Sequence, residues 1–305
     1  MMDRQSHYYR QVQLLLQIIP FVAQHDCFAL KGGTAINLFV RDFPRLSVDI
    51  DLVFLPMMDR QEALQTIKDN LNTLAVNITE QIVHTRVTSS FQDKADALRL
   101  LVERDGVQIK IELSPVLRGA VYEPQIISVC EAVEDEFGFA EIAVVSFEDL
   151  YAGKICAALD RQHPRDLFDI KQLLDNEGIT DRLRKALLVY IISHPRPITE
   201  LLKPHFKDIS NIYEGEFRNM AEHDIPLAAL ANAREQLVNI INNELTQEER
   251  KFLLSFKSRE PDWSLLGLPN IDKLPAVRWK LQNIGKMSPQ KHADAYNQLK
   301  KRLGI

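Results

Sequence analysis

The apolar positions of this chain follow two different periods. Between residues 27 and 145 the apolar stretches are mostly short, and the best of them alternate strictly with polar residues; beyond residue 146 they recur at three- and four-residue spacing. Alternation sends successive side chains to opposite faces of a strand, whereas the longer period lines up one face of a helix. The clearest alternation is Val107-Gln108-Ile109-Lys110-Ile111-Glu112-Leu113, with Gln108, Lys110 and Glu112 on the polar face. Arg104-Asp105-Gly106 joins it to an apolar run over residues 97–103, which predicts a hairpin. Further strands are expected over residues 27–30, 48–54, 81–89 and 141–145. Helices are expected over residues 8–24 with a late kink at Pro20, over 35–40 with Thr34 as N-cap, and from an Asp59 cap to about Leu74. Residues 117–139, punctuated by Gly and Pro, carry no expected element. Ser146-Phe147-Glu148-Asp149 reads as a capping-box start, and from there to the end nearly every segment is helical. The fold class is therefore α+β, a mixed sheet followed by an α-helical C-terminal part.

One strand of this set is chemically unusual. In Val48-Asp49-Ile50-Asp51-Leu52-Val53-Phe54 the two carboxylates lie two residues apart and so share a face. Two like charges held together are costly unless a cation sits between them, and a divalent metal is the obvious one. The bland alternative is a solvated strand face. Just upstream, Gly32-Gly33-Thr34 leads into a helix N-terminus, whose backbone N–H groups can cradle a triphosphate; the GxxxxGK[ST] loop is absent. Glu112, near the end of its strand, is placed to be a third acid; alternatively it is an exposed residue paired with Lys110 or Arg99. Acids on adjacent strands suit Mg²⁺ (or Mn²⁺) when the ion also binds phosphate oxygens. Ser47 is either a structural loop serine or a contact on the phosphate side.

Composition changes this picture little. The 305 residues are 46% hydrophobic and 26% charged, with a formal net charge of −5, so no global attraction to nucleic acid is implied. Cys27, Cys130 and Cys156 are odd in number and unpaired in spacing, against a disulfide framework or zinc site. Residues 1–7 lack the layout of a signal peptide and no apolar run is long enough to span a membrane, so a cytoplasmic soluble protein without a membrane partner is expected. Lys273, Arg278, Lys280, Lys286, Lys291, Lys300, Lys301 and Arg302 make the C-terminus basic, either as a solvated face or as a support for an RNA backbone.

The pattern Gly32-Gly33-Thr34-Ala35, then Arg45-Leu46-Ser47-Val48-Asp49-Ile50-Asp51-Leu52, resembles motif I of the DNA polymerase β-like nucleotidyltransferases. More narrowly it resembles the AbiEii/AbiGii toxins of type IV toxin–antitoxin and abortive-infection systems. Asp149-Leu150-Tyr151-Ala152-Gly153-Lys154, Arg165-Asp166-Leu167-Phe168-Asp169 and Pro275-Ala276-Val277-Arg278-Trp279-Lys280 extend the likeness along most of the chain. The resemblance implies that Gly32, Gly33, Thr34 and Ser47 lie at the nucleotide, that Asp49, Asp51 and Glu112 hold metal, and that Lys154 contacts phosphates with Asp166 nearby as a polar or base-like residue. It implies an NTP substrate, a tRNA 3′ end as acceptor and a cognate AbiEi-like antitoxin. Transfer to a protein hydroxyl, or nucleotide binding without transfer, remain as alternatives. Because Lys154 and Asp166 join the implied site, their helices are grouped with the sheet: a catalytic domain over residues 1–178 and a helical domain over 179–305.

Overall fold

A computed structural model describes residues 6–92 and 97–305; most of the N-terminal stretch read for a signal peptide, residues 1–5, lies outside the described residues. The fold is α+β. The chain packs as two compact units, one of Met1–Ser146 with Arg218–Asp224 and the other of Phe147–Phe217 with Ile225–Ile305.

The first unit contains α1 (His7–Val22), β1 (Phe28–Lys31), α2 (Gly32–Thr34) running on as a π-helical turn (Ala35–Val40), β2 (Asp49–Phe54), α3 (Arg60–Gln81), β3 (Thr85–Ser89), β4 (Arg99–Arg104), β5 (Val107–Leu113), β6 (Gln125–Ser128), α4 (Glu131–Phe137) and β7 (Glu141–Val144). The strands form one mixed sheet in the order β3-β4-β5-β2-β1-β7-β6. β2 is antiparallel to β1 and parallel to β5, and β4 is antiparallel to β5. Ile50, Leu52, Leu100, Val102, Ile109 and Ile111 are buried, with α1 packed on β5 and β7 and α3 packed on β3. Burying these side chains drives the sheet together, and the alternation of period 2 leaves their neighbours Asp49, Asp51, Lys110 and Glu112 half-exposed.

Three local expectations change. Thr34 has helical dihedrals (φ −64°, ψ −46°) and lies inside the helical segment, because the helix already starts at Gly32. α3 continues past Leu74 to Gln81, since Ile78 prolongs the buried stripe of Ile67, Leu71 and Leu74. Residues 117–139 contain β6 and α4, whose signals are short and broken by Gly and Pro. Asp59 caps α3 as expected, its Oδ1 accepting from the N–H groups of Gln61 (2.9 Å) and Glu62 (3.1 Å).

The second unit is helical: α5 (Phe147–Asp160), α6 (Pro164–Asn176), α7 (Asp181–Ser193), α8 (Ile198–Leu202), α9 (Ser210–Glu216), α10 (Leu227–Glu244), α11 (Gln247–Lys257), α12 (Trp263–Leu266), α13 (Pro275–Gly285) and α14 (Pro289–Leu303). α5 lies along α7 and α6 along α10. α5 is buried on most of its circumference, including Leu150, Tyr151, Ala152, Ile155, Cys156 and Leu159, so it forms the core of this unit. As packing units the chain therefore divides after Ser146, ahead of the boundary read from the motifs. No helix among the described residues is long and apolar enough to cross a membrane.

Candidate active site

In the first unit the sheet register assembles an acid face. β1 places Lys31 opposite Asp51, and the parallel pairing of β2 with β5 puts Asp49 beside Lys110 and Asp51 beside Glu112. Residues paired across adjacent strands share a face, so carboxylates far apart in sequence become neighbours. A pocket of about 310 Å³ opens here, lined in part by Lys31, Asp51, Arg99, Glu112, Ser114 and Pro115.

The turn after β1 is shaped around Asp51. Gly32 has φ +78°, and a Cβ there would lie 2.6 Å from Asp51 Oδ2. Only glycine takes this conformation cheaply and also leaves that space to the carboxylate. A Cβ on Gly33 would come within 2.9 Å of both Arg45 Nη2 and Ser47 Oγ, so this turn is also closed from behind. Thr34 and Ser47 are both buried, their hydroxyls 3.1 Å apart. The Thr34 hydroxyl also donates to the Asp49 carbonyl, tying the turn to the start of β2. These hydroxyls therefore hold the scaffold of the site. The loop before β2 is pinned in turn by residues 218–224: Leu46 N–H donates to the Met220 carbonyl (2.9 Å) and Glu222 N–H to the Pro44 carbonyl (3.0 Å).

Glu112 is engaged by two cations. Arg99 Nη2 lies 2.8 Å from its Oε1 and Lys110 Nζ 2.9 Å from its Oε2, while Lys110 also approaches Asp49 Oδ2 at 3.9 Å. Partial burial by itself would raise the Glu112 carboxyl, but the hydrogen bonds from Arg99 and Lys110 outweigh it and hold the group below its ordinary value. Burial pulls Lys110 down, and the bond to Glu112 with the charges of Asp49 and Asp51 carries it above the usual lysine value. Among the described residues no group of three or more His, Cys, Asp or Glu side chains is placed so that it could hold a metal ion. The donor set of half-exposed carboxylates on one strand face instead fits a hard cation that takes further oxygens from a phosphate.

Lys154 and Asp166 belong to the second unit. Lys154 Nζ lies 2.9 Å from Asp166 Oδ1 and 3.0 Å from Asp169 Oδ2, all three side chains being buried. Asp166 also accepts from Arg161 Nε (2.5 Å) and Nη2 (2.9 Å). Burial would raise the Asp166 carboxyl, but Lys154 and Arg161 hold it well below the usual carboxylate range. Arg161 and Asp169 complete this cluster; the sequence signal for it is the i, i+3 spacing of Asp166 and Asp169, which puts both on one face of α6. Lys110 and Arg99 were weighed only as partners of Glu112. Their place around the acids follows from strand register, which spacing within one strand does not encode. His163 caps α6, its Nδ1 accepting from Arg165 N–H at 3.1 Å. In the basic C-terminus Lys280 donates to the carbonyls of His194, Pro195 and Arg196, and Arg302 to that of Leu202. Trp263 packs on Phe252 and Phe256, whereas Trp279 is exposed with Lys286 over its ring.

The mixed sheet with its helices is a fold that a solved structure of a nucleotidyltransferase toxin shares. MenT4, the nucleotidyltransferase toxin Rv2826c from Mycobacterium tuberculosis H37Rv, superposes with a TM-score of 0.59 at 12% identity, covering 96% of this chain and 93% of that one. The family model described as nucleotidyl transferase AbiEii toxin, type IV toxin–antitoxin system, matches residues 13–283, and the chain belongs to that family. No curated protein matches the sequence. The protein is thus a nucleotidyltransferase of the toxin class, which implies an NTP substrate and a cognate antitoxin.

Proposed function

We propose that this toxin transfers a nucleoside monophosphate from an NTP to the terminal hydroxyl of a tRNA 3′ end. The observation that carries the site is the register of β2 with β5, which sets Asp49, Asp51 and Glu112 on one face beside the Gly32 turn. Asp49 and Asp51 would hold Mg²⁺ or Mn²⁺, with Glu112, in register with Asp51, as the third acid. A divalent ion bound there supplies charge neutralisation at the phosphates and at the departing pyrophosphate. The backbone N–H groups of Gly32, Gly33 and Thr34 hold the triphosphate, with Ser47 and Thr34 fixing the turn. Lys154 enters on the family motif as a phosphate contact. Asp166, whose carboxylate is held ionised by Lys154 and Arg161, orients Lys154 rather than accepting a proton. In the reaction the acceptor oxygen forms a bond to the α-phosphorus and its hydroxyl proton passes to water, the bond to the β-phosphate bridging oxygen breaks, and pyrophosphate carries away the electron pair. Blocking tRNA ends fits a cytoplasmic toxin acting in antiviral defence beside an AbiEi-like antitoxin.

The test incubates the protein with each α-labelled NTP, Mg²⁺ and total tRNA. Label in tRNA is the expected result, and the D49N/D51N double variant should lose it while keeping its circular dichroism spectrum. Label in protein instead of tRNA would replace the acceptor; transfer by the double variant would overturn the site.

A further inference from the structure

The acid face carries its own cations. Lys110 lies on the same face of β5 as Glu112 and is in register with Asp49; Arg99 on β4 stands opposite Glu112; Lys31 on β1 stands opposite Asp51. Each oxygen of Glu112 is claimed by a different cation, Oε1 by Arg99 at 2.8 Å and Oε2 by Lys110 at 2.9 Å. Lys110 alone among the three cations is within 4 Å of two of the acids, since it also meets Asp49 Oδ2 at 3.9 Å. The carboxylates Asp49, Asp51 and Glu112 thus share their strand face with Lys31, Arg99 and Lys110, and Lys110 already lies against two of them before any ligand arrives. A lone divalent ion gains less from carboxylates that an ammonium already faces. A triphosphate changes the balance, because it brings several negative charges that can take over the lysine and share the ion.

We propose that Lys110 is a positioning residue, the resident counter-cation of this site, and that it makes uptake of the divalent ion depend on bound nucleotide. Arg99 fixes Glu112, and Glu112 fixes the ammonium between itself and Asp49. The inference rests on the proposed reading of Asp49 and Asp51 as the metal-holding pair. It also gives the toxin a reason to keep its acid pair shielded until substrate is present.

Mn²⁺ binding to the full-length protein, followed by electron paramagnetic resonance, tests this without turnover. Wild type is expected to bind free Mn²⁺ weakly and to bind it with a non-hydrolysable NTP analogue at least about tenfold more tightly than the analogue alone does. K110Q should tighten free Mn²⁺ binding by about tenfold, the effect of deleting one unit charge about 6 Å from a divalent ion at close to the dielectric of water, and K110R should restore the wild-type value. Tight binding of free Mn²⁺ by wild type overturns the proposal with no variant needed, as does a K110Q affinity within twofold of wild type. D49N separates the two levels: if it still takes up Mn²⁺ with the analogue, the metal-holding pair itself is misassigned. If D49N abolishes that uptake while K110Q changes nothing, only the counter-cation role falls.

Discussion

Replacing Gly32 by alanine tests how the turn makes room for Asp51, and Gly106 provides the matched control. Both glycines sit at positive φ, +78° and +74°, so alanine meets the same backbone strain at each. That strain is about 1–2 kcal/mol, a fall in melting temperature of roughly 2–8 °C. The surroundings differ. A Cβ at position 106 finds nothing within 4 Å, whereas one at 32 would lie 2.6 Å from Asp51 Oδ2 and 3.2 Å from Asp51 Cβ. Ordinary carbon contacts are about 3.5–4.0 Å, so the Asp51 carboxylate has to retreat by the better part of an ångström. A misplacement of about 1 Å at a reacting centre costs on the order of a hundredfold in rate. G32A and G106A should therefore melt at similar temperatures, while G32A alone loses about a hundredfold of nucleotidyl transfer in the α-labelled assay. Equal transfer by the two variants at equal stability would refute the argument that Gly32 exists to admit Asp51.

The second unit supplies two further expectations about stability. Asp166 is buried against Lys154 and Arg161 and its carboxyl is held down. A depressed carboxyl stabilises the fold above its unfolded value and loses that contribution as pH falls through the folded one. The loss should thus begin near the unfolded value of about 3.9 and deepen toward lower pH. D166N should cost about 3 kcal/mol in urea unfolding at pH 7 and show a flatter decline than wild type below about pH 4; parallel declines would show that Asp166 does not carry the acid limb. At the start of α11, Thr246 Oγ1 accepts from Glu249 N–H (3.2 Å) and Glu249 Oε2 accepts from Thr246 N–H (2.8 Å). T246A should cost about 1 kcal/mol, and E249A about 3–5 kcal/mol because it also strips the buried Arg184 of its main partner. A smaller loss from E249A than from T246A would contradict that ranking.

Much of this protein is written in short-range pattern. Alternation from Val107 to Leu113 is enough to specify β5 and to put Lys110 and Glu112 on one face, because strand geometry fixes i and i+2 together. The Asp49/Asp51 pair and the Gly32-Gly33 turn are legible for the same reason, and the motif combination around them points to the AbiEii family that the match over residues 13–283 shows. What spacing misjudged were segments whose local signals are weak or mixed. Thr34 carries a capping residue's chemistry, yet its hydroxyl is spent on the Asp49 carbonyl. α5 and α6, grouped with the sheet by motif, bury their apolar surface among other helices, which is a matter of packing that motif spacing does not address.

The sequence alone nominates the candidate site: two aspartates, a glycine turn and a third acid on an alternating strand. Only the tertiary structure decided what surrounds them. The parallel pairing of β2 with β5 joins residues about sixty apart in sequence, and that pairing brings Lys110 to Asp49 and, with β4, Arg99 to Glu112. A local pattern encodes which face a side chain takes, because that depends on neighbouring dihedrals. Which charges meet across strands depends on the burial of the whole sheet, and no short stretch of chain contains that information.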